Sequence, residues 1–332
     1  MVERFIRSCI ESVYSQGLDE ADFEVILVND GTLDNSIEKI EDILAQHQNV
    51  TIINQENQGL SVARNNGMRL ASGKYILHLD SDDLLIRNHL KSLLHIALES
   101  NADMVIYDFV KMNSAEIESL STDSVLLNQG EPKLEQSNYL KGWDFFLHDF
   151  DNRGYVWRVL FNKQFIEKSH LHFIPGITSQ DIPFMVDSLL INGIVVKVPL
   201  ISIIYRQRPD SIVYNPNKKR VMDLTVAMKD LWAKKKNNSY PIEIRRRLTD
   251  ALYHIFNNFQ WRIILNKDVY VERHDIIRDL RDAIPDLKFD NNIQQLFTTC
   301  LFRLMPYRFF EMRKLLNDII WKYKKLRRFP KR

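Results

Sequence analysis

Two segments, FEVILVNDG at residues 23–31 and GKYILHLDSDD at residues 73–83, each run from apolar residues directly into acids. The apolar runs are short and nearly unbroken, which is typical of strands buried inside a parallel sheet. We therefore predict strands at 23–28 and 75–79. In open α/β sheets, ligands bind outside the carboxyl ends of the strands. The acids that follow these strands are thus the first candidates for a binding site.

Helical and strand patterns alternate around these two segments, which predicts an α/β fold with a mostly parallel sheet flanked by helices. Residues 113–140 are polar and are predicted to form a surface loop, and from about residue 217 the pattern is helical. The apolar spacing predicts helices at 3–15, 37–44, 61–71 and 90–99, and further strands at 50–53 and 104–107.

The composition describes a folded protein. Of 332 residues 45% are hydrophobic, and 45 Lys and Arg nearly balance 43 Asp and Glu, which excludes a disordered chain and a nucleic-acid coat. The sequence contains no run of 18 apolar residues, and its first 14 residues carry four charges, so neither a membrane-spanning segment nor a secretory signal is predicted. Two cysteines fit a reducing compartment. We expect a cytoplasmic protein.

The acids at the strand ends have two interpretations. Asp30 follows one strand, and Asp80, Asp82 and Asp83 follow the other. A carboxylate can accept hydrogen bonds from a nucleobase or a ribose, and two carboxylates one residue apart can hold a hard cation such as Mg2+ or Mn2+, which stabilises a diphosphate leaving group. The alternative is an Asp-Gly turn at Asp30 and an acidic helix cap at Asp82 or Asp83.

The longer segments FEVILVNDGTLDNS (23–36) and NQENQGLSVARNNGMRLASGKYILHLDSDDLL (54–85) resemble the family 2 glycosyltransferases, which have the GT-A fold. The resemblance is close over residues 4–110 and looser to about residue 212, and the last third has no family-wide motif. It implies a metal-dependent, inverting enzyme of polysaccharide biosynthesis. Such an enzyme transfers a sugar from a nucleotide-sugar, in most cases a UDP-sugar, to a glycan.

The resemblance implies roles for the acids. Asp30, together with Gly31, matches the acid that holds the nucleobase. Asp80, Ser81 and Asp82 match the DxD motif, which contacts the ribose and the metal-bound diphosphate.

The resemblance also implies roles for basic residues. Arg64 and Asn65 match an ARN segment that lies beside the nucleotide and supports the DxD turn, although Arg64 could instead form a structural ion pair with Asp30 or Asp80. Arg206 and Arg208, in the segment YRQR, match an element near the active site and are expected to contact the diphosphate. The alternative for this pair is a solvated strand end.

The general base and the acceptor site are the remaining expectations. Asp181 occupies the position of the base that accepts the proton of the acceptor hydroxyl, but Gln180 stands where the family usually has Glu. The alternative is that Asp181 caps a helix at 182–190. Trp157 matches a family Trp near the acceptor, with core packing as the alternative, and Asp83, which completes the DSDD form, is also expected near the acceptor.

The predicted organisation has three parts: a nucleotide-sugar-binding half at 1–110, an acceptor and base half at 111–215, and a helical region at 216–332. The family normally opens with one more strand, so we expect a central strand to be absent and the sequence to be truncated at its N-terminus. The alternative is a catalytically weak or inactive relative that binds nucleotide-sugars or glycans.

The end of the chain is strongly basic. Residues 303–332 contain 11 Lys and Arg and two acids, with aromatic residues between them. Such a segment fits an anionic membrane surface, and a lipid-linked glycan acceptor would explain a peripheral location there. The alternative is a helix packed on the protein with a solvated basic end. No nucleic-acid partner is expected, because no recognition motif accompanies the charge.

Overall fold

The computed structural model describes residues 2–120, 129–130, 132–208 and 217–315. The chain divides into two compact units, Met1–Ser211 and Ile212–Arg332. The predicted division of the first unit near residue 110 stays a prediction.

The first unit has the predicted alternation of helices and strands. Strand β1 begins two residues later than predicted and extends to Asp30, because it pairs in register with β2 up to Asp30 and Gln55. Its elements are α1 (Ile6–Tyr14), β1 (Val25–Asp30), α2 (Glu41–Leu44), β2 (Val50–Gln55), α3 (Leu60–Leu70), β3 (Tyr75–Leu77), β4 (Leu84–Leu85), α4 (His89–Ser100), β5 (Met104–Asn113), α5 (Ser114–Glu118), β6 (Tyr139–Lys141), α6 (Gly142–His148), β7 (Val159–Asn162), α7 (Lys163–Lys168), α8 (Asp181–Leu190) and β8 (Ile194–Gln207).

The α/β class is confirmed, but the strands form two sheets, and the larger one is mixed rather than mostly parallel. Strands β1 and β2 form a parallel pair. The other six are ordered β3-β7-β5-β8-β4, with β6 also on β8. Only β5 and β8 pair in parallel there. The sheet is mixed because β7, which comes from the aromatic-rich part of the chain, lies between β3 and β5 and pairs antiparallel with both.

Strand β8 places the last residues of the first unit beside the DSDD segment. Its pairing with β5 is interrupted, since Tyr107 faces Val198 whereas Asp108 faces Ile201. Pro199 lies in this interval and has no N–H to donate to a ladder, which suits an irregular position. Beyond the irregularity, the second half of β8 pairs with β4, and this pairing places the end of β8 beside the residues just before β4.

The core of the first unit lies between the larger sheet and helix α4. Leucine, isoleucine and valine of both elements are almost completely buried, as expected for a helix laid on a sheet. The cluster includes Leu93, Ile96, Val105, Leu160, Val196 and Ile203.

The second unit is helical throughout the part that is described, as predicted. It consists of α9 (Lys218–Lys236), α10 (Ile242–Leu265), α11 (Lys267–Val271), α12 (Arg273–Ala283), α13 (Ile293–Leu304) and a helix at 306–315. No helix among the described residues is long and apolar enough to cross a membrane.

The basic end of the chain is only partly described. Its first aromatic residues are not arranged as expected for a segment that faces a membrane. Phe302, Phe309 and Phe310 are buried against rings of α10 rather than presented on a membrane-facing surface. The later part of the predicted tail, with Trp321 and Tyr323, lies outside the described residues.

A buried histidine makes the first unit sensitive to mild acid. His78 lies among the rings of Phe161, Phe173 and Phe184. Burial, together with the positive charge of Arg64, lowers the pKa of His78 to about 3. The unfolded chain therefore takes up a proton at this residue near its ordinary pKa of about 6.5, and the folded chain does not. The free energy of unfolding falls as the pH drops from that value toward 3.

We expect the wild-type chain to lose about 2 kcal/mol of unfolding free energy through this residue between pH 7 and pH 5. His78→Leu removes this part of the pH dependence, because leucine binds no proton. Urea unfolding at both pH values measures it, and His95→Leu, at an exposed histidine, is the control. The same pH dependence in wild type and His78→Leu would contradict the assignment.

Candidate active site

The DSDD segment forms a tight turn between β3 and β4. The N–H of Asp83 donates to the carbonyl of Asp80 at 3.0 Å, which brings the predicted Asp80, Ser81 and Asp82 together. Arg206, at the end of β8, holds this turn: its N–H donates to Asp83 Oδ1 at 2.8 Å, and its Nε donates to the carbonyl of Asp82 at 2.9 Å.

Both arginines of the YRQR segment lie at this turn. Arg208 Nε is 2.7 Å from Asp82 Oδ2. The Arg206 guanidinium is buried, contacts Ser114 and Ser8 and lies over the ring of Phe5. In this structure Arg206 therefore stabilises the turn, whereas Arg208 forms an ion pair with Asp82 of the DxD motif. Diphosphate contact by either residue stays a prediction.

Burial and neighbouring charges raise the pKa of two acids of the turn, Asp82 and Asp83. Burial raises the pKa of Asp82 above its ordinary value, against the effect of Arg208. Burial and the charges of Asp80 and Asp82 raise the pKa of Asp83 to about 9. Asp83 is fully buried, and its Oδ2 has no hydrogen-bond partner within the described ranges. Its predicted place near the acceptor stays a prediction, whereas its contact with the Arg206 N–H shows a structural role.

One guanidinium joins the DxD turn to the predicted base. Arg64 Nη2 lies 2.7 Å from Asp80 Oδ1, and Arg64 Nη1 lies 2.6 Å from Asp181 Oδ1. The Arg64 side chain is only 7% exposed, so the pairing is held in a poorly solvated site. The structural ion pair with Asp80 that the sequence left open is thus present, and its second partner, Asp181, was not foreseen.

Helix α3 is attached to the segment that leads to Asp181, which explains why Arg64 reaches it. The Asn65 amide exchanges two hydrogen bonds with the backbone of Phe173, at 2.9 and 2.8 Å. The Ser61 hydroxyl donates to the carbonyl of Ile177 at 2.7 Å. Asn65 therefore supports the site from behind in this structure, and a direct contact with the nucleotide stays a prediction.

Asp30 closes the loop that begins α3. Its Oδ1 accepts hydrogen bonds from Gln55 Nε2 at 2.7 Å and from the N–H of Gln58 at 2.8 Å, and its Oδ2 accepts one from the N–H of Gly59 at 2.8 Å. Gly31 has a φ of 67°, and a Cβ there would lie 3.0 Å from the backbone N of Asn57, so the position favours glycine. Nucleobase binding by Asp30 and Gly31 stays a prediction.

Asp181 is the first residue of α8 and lies beside Gln180. Burial raises the pKa of Asp181, and the charge of Arg64 opposes this effect. The amide of Gln180 is buried, and neither of its polar atoms has a hydrogen-bond partner within the described part of the chain. The Arg64 guanidinium links Asp181 to Asp80 of the turn.

Trp157 is a core residue, as the alternative reading allowed. It is 2% exposed, and its carbonyl accepts a hydrogen bond from the Tyr107 hydroxyl at 2.6 Å. Its ring packs on Phe109, Tyr155 and Tyr205, with centroids 4.8, 4.8 and 5.3 Å away. These three rings are partly exposed, and we call them the aromatic surface. Sequence reasoning missed this surface, although the aromatic richness of residues 141–168 was a signal for part of it.

The aromatic surface adjoins both groups of acids. Gly154, before Tyr155, has a φ of 64°, and a Cβ there would lie 2.8 Å from the Cα of Ile182, next to Asp181. Tyr205 precedes Arg206, which binds Asp83. The centroids of Tyr155 and Tyr205 are 6.1 Å apart. The aromatic surface therefore extends from the predicted base to the DSDD turn.

The acids of the turn suit a hard cation only in part. Carboxylate oxygens are the ligands that Mg2+ and Mn2+ prefer, and Asp80 and Asp82 supply them. No group of three or more His, Cys, Asp or Glu side chains in the described part of the chain is placed to hold a metal ion. A metal bound by Asp82 and Asp80 would therefore take further oxygen ligands from a substrate phosphate, as Mg2+ commonly does.

With this geometry established, comparison with known proteins gives the family. The family model described as "Glycosyl transferase family 2" matches residues 2–151. Residues 2–151 belong to glycosyl transferase family 2.

Similar proteins carry the same description. The uncharacterized glycosyltransferase EpsJ of Bacillus subtilis (strain 168) is 34% identical over 218 residues, which cover 65% of this chain and 61% of that protein. The uncharacterized glycosyltransferase YibD of Escherichia coli (strain K12) is 31% identical over 53% of this chain and 50% of its own length. The chain thus spans about half to three fifths of these relatives.

Solved glycosyltransferases share the fold. Residues 1–349 of S. aureus TarS, in complex with UDP-GlcNAc, match 86% of this chain and 79% of that chain with a TM-score of 0.63 and 14% identity. The mannosyltransferase PcManGT from Pyrobaculum calidifontis, in complex with GDP-Man and Mn2+, matches 95% and 84% with a TM-score of 0.50 and 12% identity. The GT-A-type fold expected for this glycosyltransferase domain is confirmed.

We expect Arg64→Met to lower the free energy of unfolding by about 1–3 kcal/mol, because it leaves two partly buried carboxylates without their shared hydrogen-bonding partner. Arg64→Lys keeps the charge but lacks the planar guanidinium that reaches both acids. Its free energy of unfolding should lie between those of the wild type and Arg64→Met. Urea unfolding measures the series.

The control is Arg7→Met, which removes the exposed ion pair between Arg7 and Asp42. Exposed pairs contribute little, so this variant should unfold almost as wild type does. An Arg64→Met variant as stable as Arg7→Met would show that the double ion pair is not formed.

Proposed function

We propose that the chain is an inverting, metal-dependent glycosyltransferase that moves a sugar from a UDP-sugar to a glycan in polysaccharide biosynthesis. The observation that carries the proposal is the shared guanidinium of Arg64, which binds an acid of the DxD turn through Nη2 and the candidate base through Nη1. The family of residues 2–151 and the relatives named as glycosyltransferases support it.

The donor would bind at the DSDD turn. TarS binds UDP-GlcNAc and PcManGT binds GDP-Man with Mn2+, which supports a nucleotide-sugar and a divalent cation here. Asp82 and Asp80 would hold Mn2+ or Mg2+ together with the diphosphate, and the cation would supply charge neutralisation of the leaving group. Asp30 would hold the nucleobase. Arg208, which is paired with Asp82, would supply a positive charge beside the phosphates.

Asp181 would act as the base. Its carboxylate accepts the proton of the acceptor hydroxyl as that oxygen attacks the anomeric carbon, and the nucleoside diphosphate departs on the other side. Arg64 would keep Asp181 ionised in spite of its burial, because a neighbouring positive charge favours the carboxylate. The Arg64 guanidinium would also fix the distance between the base and the donor site, which contributes to catalysis through orientation.

Asp181→Asn tests the base directly. We expect turnover, measured as release of nucleoside diphosphate from a panel of donors with Mn2+ or Mg2+, to fall by at least about 10²-fold, which is the usual contribution of a general base. Binding of the donor, measured by calorimetry, should persist.

Asp19→Asn, at an exposed acid of the same unit, is the matched control and should retain full turnover. Undiminished turnover in Asp181→Asn would remove Asp181 as the base. Donor binding without turnover in the wild type would instead favour a glycan- or nucleotide-sugar-binding protein.

The acceptor would lie on the aromatic surface. Sugars stack their C–H faces on aromatic rings, and Tyr155 and Tyr205 lie between the candidate base and the DSDD turn. Lys111 stands over the ring of Tyr205 at 5.8 Å, which adds a positive charge at the edge. Tyr155 and Tyr205 thus take over the role that the sequence assigned to Trp157, which supports them from the core.

We expect Tyr155→Ala to raise the KM for the acceptor about tenfold and to leave the KM for the donor unchanged, because loss of one stacking ring costs about 1–1.5 kcal/mol. Steady-state kinetics with each substrate varied in turn measures this. Tyr139→Ala, at an exposed tyrosine outside the aromatic surface, is the control. A change confined to the donor KM would place the acceptor elsewhere.

We further propose a cytoplasmic location at the surface of the membrane, with a lipid-linked glycan as acceptor. The support is the excess of basic residues in 303–332, which favours an anionic surface.

A further inference from the structure

Helix α13 of the second unit packs inward with three polar residues and Phe302. Gln295, Thr298 and Thr299 are buried, whereas Ile293 is 87% exposed and Phe297 is 62% exposed. The usual surface helix has the reverse arrangement, with its apolar stripe toward the core. The outward side, which we call the α13 face, consists of Ile293, Leu296, Phe297, Cys300 and Leu304.

Specific hydrogen bonds fix this orientation. Gln295 Nε2 donates to Asp250 Oδ1 at 2.6 Å. The Thr299 hydroxyl accepts from the N–H of Phe289 at 2.8 Å and donates to the carbonyl of the same residue at 2.9 Å. The Thr298 hydroxyl is 3.2 Å from that of Tyr253. Rotation of the helix to hide the α13 face would break these buried bonds, each of which is costly to leave unmade.

Further exposed apolar residues follow α13 in the chain, namely Met305, Met312 and Leu315. The residues of the α13 face recur at helical spacing on one side of the helix. Such a cluster marks a site of protein or membrane interaction, because isolated apolar residues are common on surfaces but clusters are not.

The charges around the α13 face indicate which partner covers it. Helix α13 contains no acid, and Arg303 and Arg308 are exposed beside its apolar residues. The described residues 303–315 carry four Lys and Arg against one acid. Two such surfaces would repel each other in a homodimer, whereas an anionic bilayer offers both opposite charge and an apolar layer at shallow depth.

We propose that the α13 face inserts into the interface of an anionic lipid bilayer and lies along its plane. This deepens the proposed peripheral location and assigns it to a helix rather than to the basic tail alone. It does not depend on transferase activity, because the α13 face contains no residue assigned to the active site.

The first test is flotation of the full-length chain with vesicles. The wild type should float with phosphatidylglycerol–phosphatidylcholine vesicles and much less with phosphatidylcholine alone. The variant Phe297→Gln with Leu304→Gln keeps every charge and should bind at least about tenfold more weakly, since two large apolar side chains no longer enter the bilayer. Leu70→Gln, at an exposed leucine of the first unit, should bind as wild type does.

The second test uses the wild-type sequence and needs no substitution that affects folding. Cys9 is buried and Cys300 is exposed on the α13 face, so a thiol-reactive, environment-sensitive fluorophore labels Cys300 selectively. Anionic vesicles should shift its emission to shorter wavelength, and spin-labelled lipids should quench it. The shift must appear whether or not the chain shows turnover, which separates this proposal from the catalytic one.

Two outcomes would overturn the proposal. One is equal flotation of the wild type and the Phe297→Gln, Leu304→Gln variant together with unchanged emission at Cys300, which would assign membrane binding to the tail. The other is a dimer, measured by light scattering, that the double substitution converts to a monomer while vesicle binding is absent from both forms.

Discussion

The buried guanidinium of Arg64 is the interaction on which the candidate site depends. It lies where burial alone would disfavour any charge, and two carboxylates compensate it from opposite sides. A lysine could satisfy one of them, but only a planar fork can satisfy both at hydrogen-bond distance. The two acids come from residues 80 and 181, which are 101 positions apart in the sequence. The fold therefore brings distant segments together around one side chain.

Three arginines compensate the acids of the turn, and each does so from a different element. Arg64 comes from α3, whereas Arg206 and Arg208 come from the end of β8. This arrangement holds several carboxyl groups close together. The raised pKa of Asp83 is caused mainly by burial, with the charges of Asp80 and Asp82 adding to it. Asp80 and Asp82, whose carboxylates are held by Arg64 and Arg208, are the acids proposed to hold the cation.

The local sequence pattern predicted most of the helices and strands and the positions of the acids. Each apolar strand is followed within a few residues by an Asp-rich turn, so one short segment indicates both the strand and the acids at its end. It predicted less about how strands pair. The antiparallel entry of β7 and the interruption of β8 near Pro199 depend on contacts between residues far apart in the sequence. For the same reason the sequence offered Arg64 as a ligand or as an ion-pair partner but did not show Asp181 as its second partner. Trp157 was expected near the acceptor because of its motif, whereas its burial behind Tyr155 and Tyr205 depends on tertiary contacts.

The close approach of Gly154 to Ile182 has a consequence for the evolution of specificity. The loop that carries Tyr155 rests directly on the first turn of the helix that begins with Asp181, with no space for even a methyl group between them. A change of loop length or of the glycine would displace the helix, so the proposed acceptor surface and the proposed base are mechanically linked at this contact. New acceptor preferences are therefore more accessible through side-chain exchange at the aromatic positions than through insertion or loop replacement, and laboratory redesign of the acceptor site would face the same constraint.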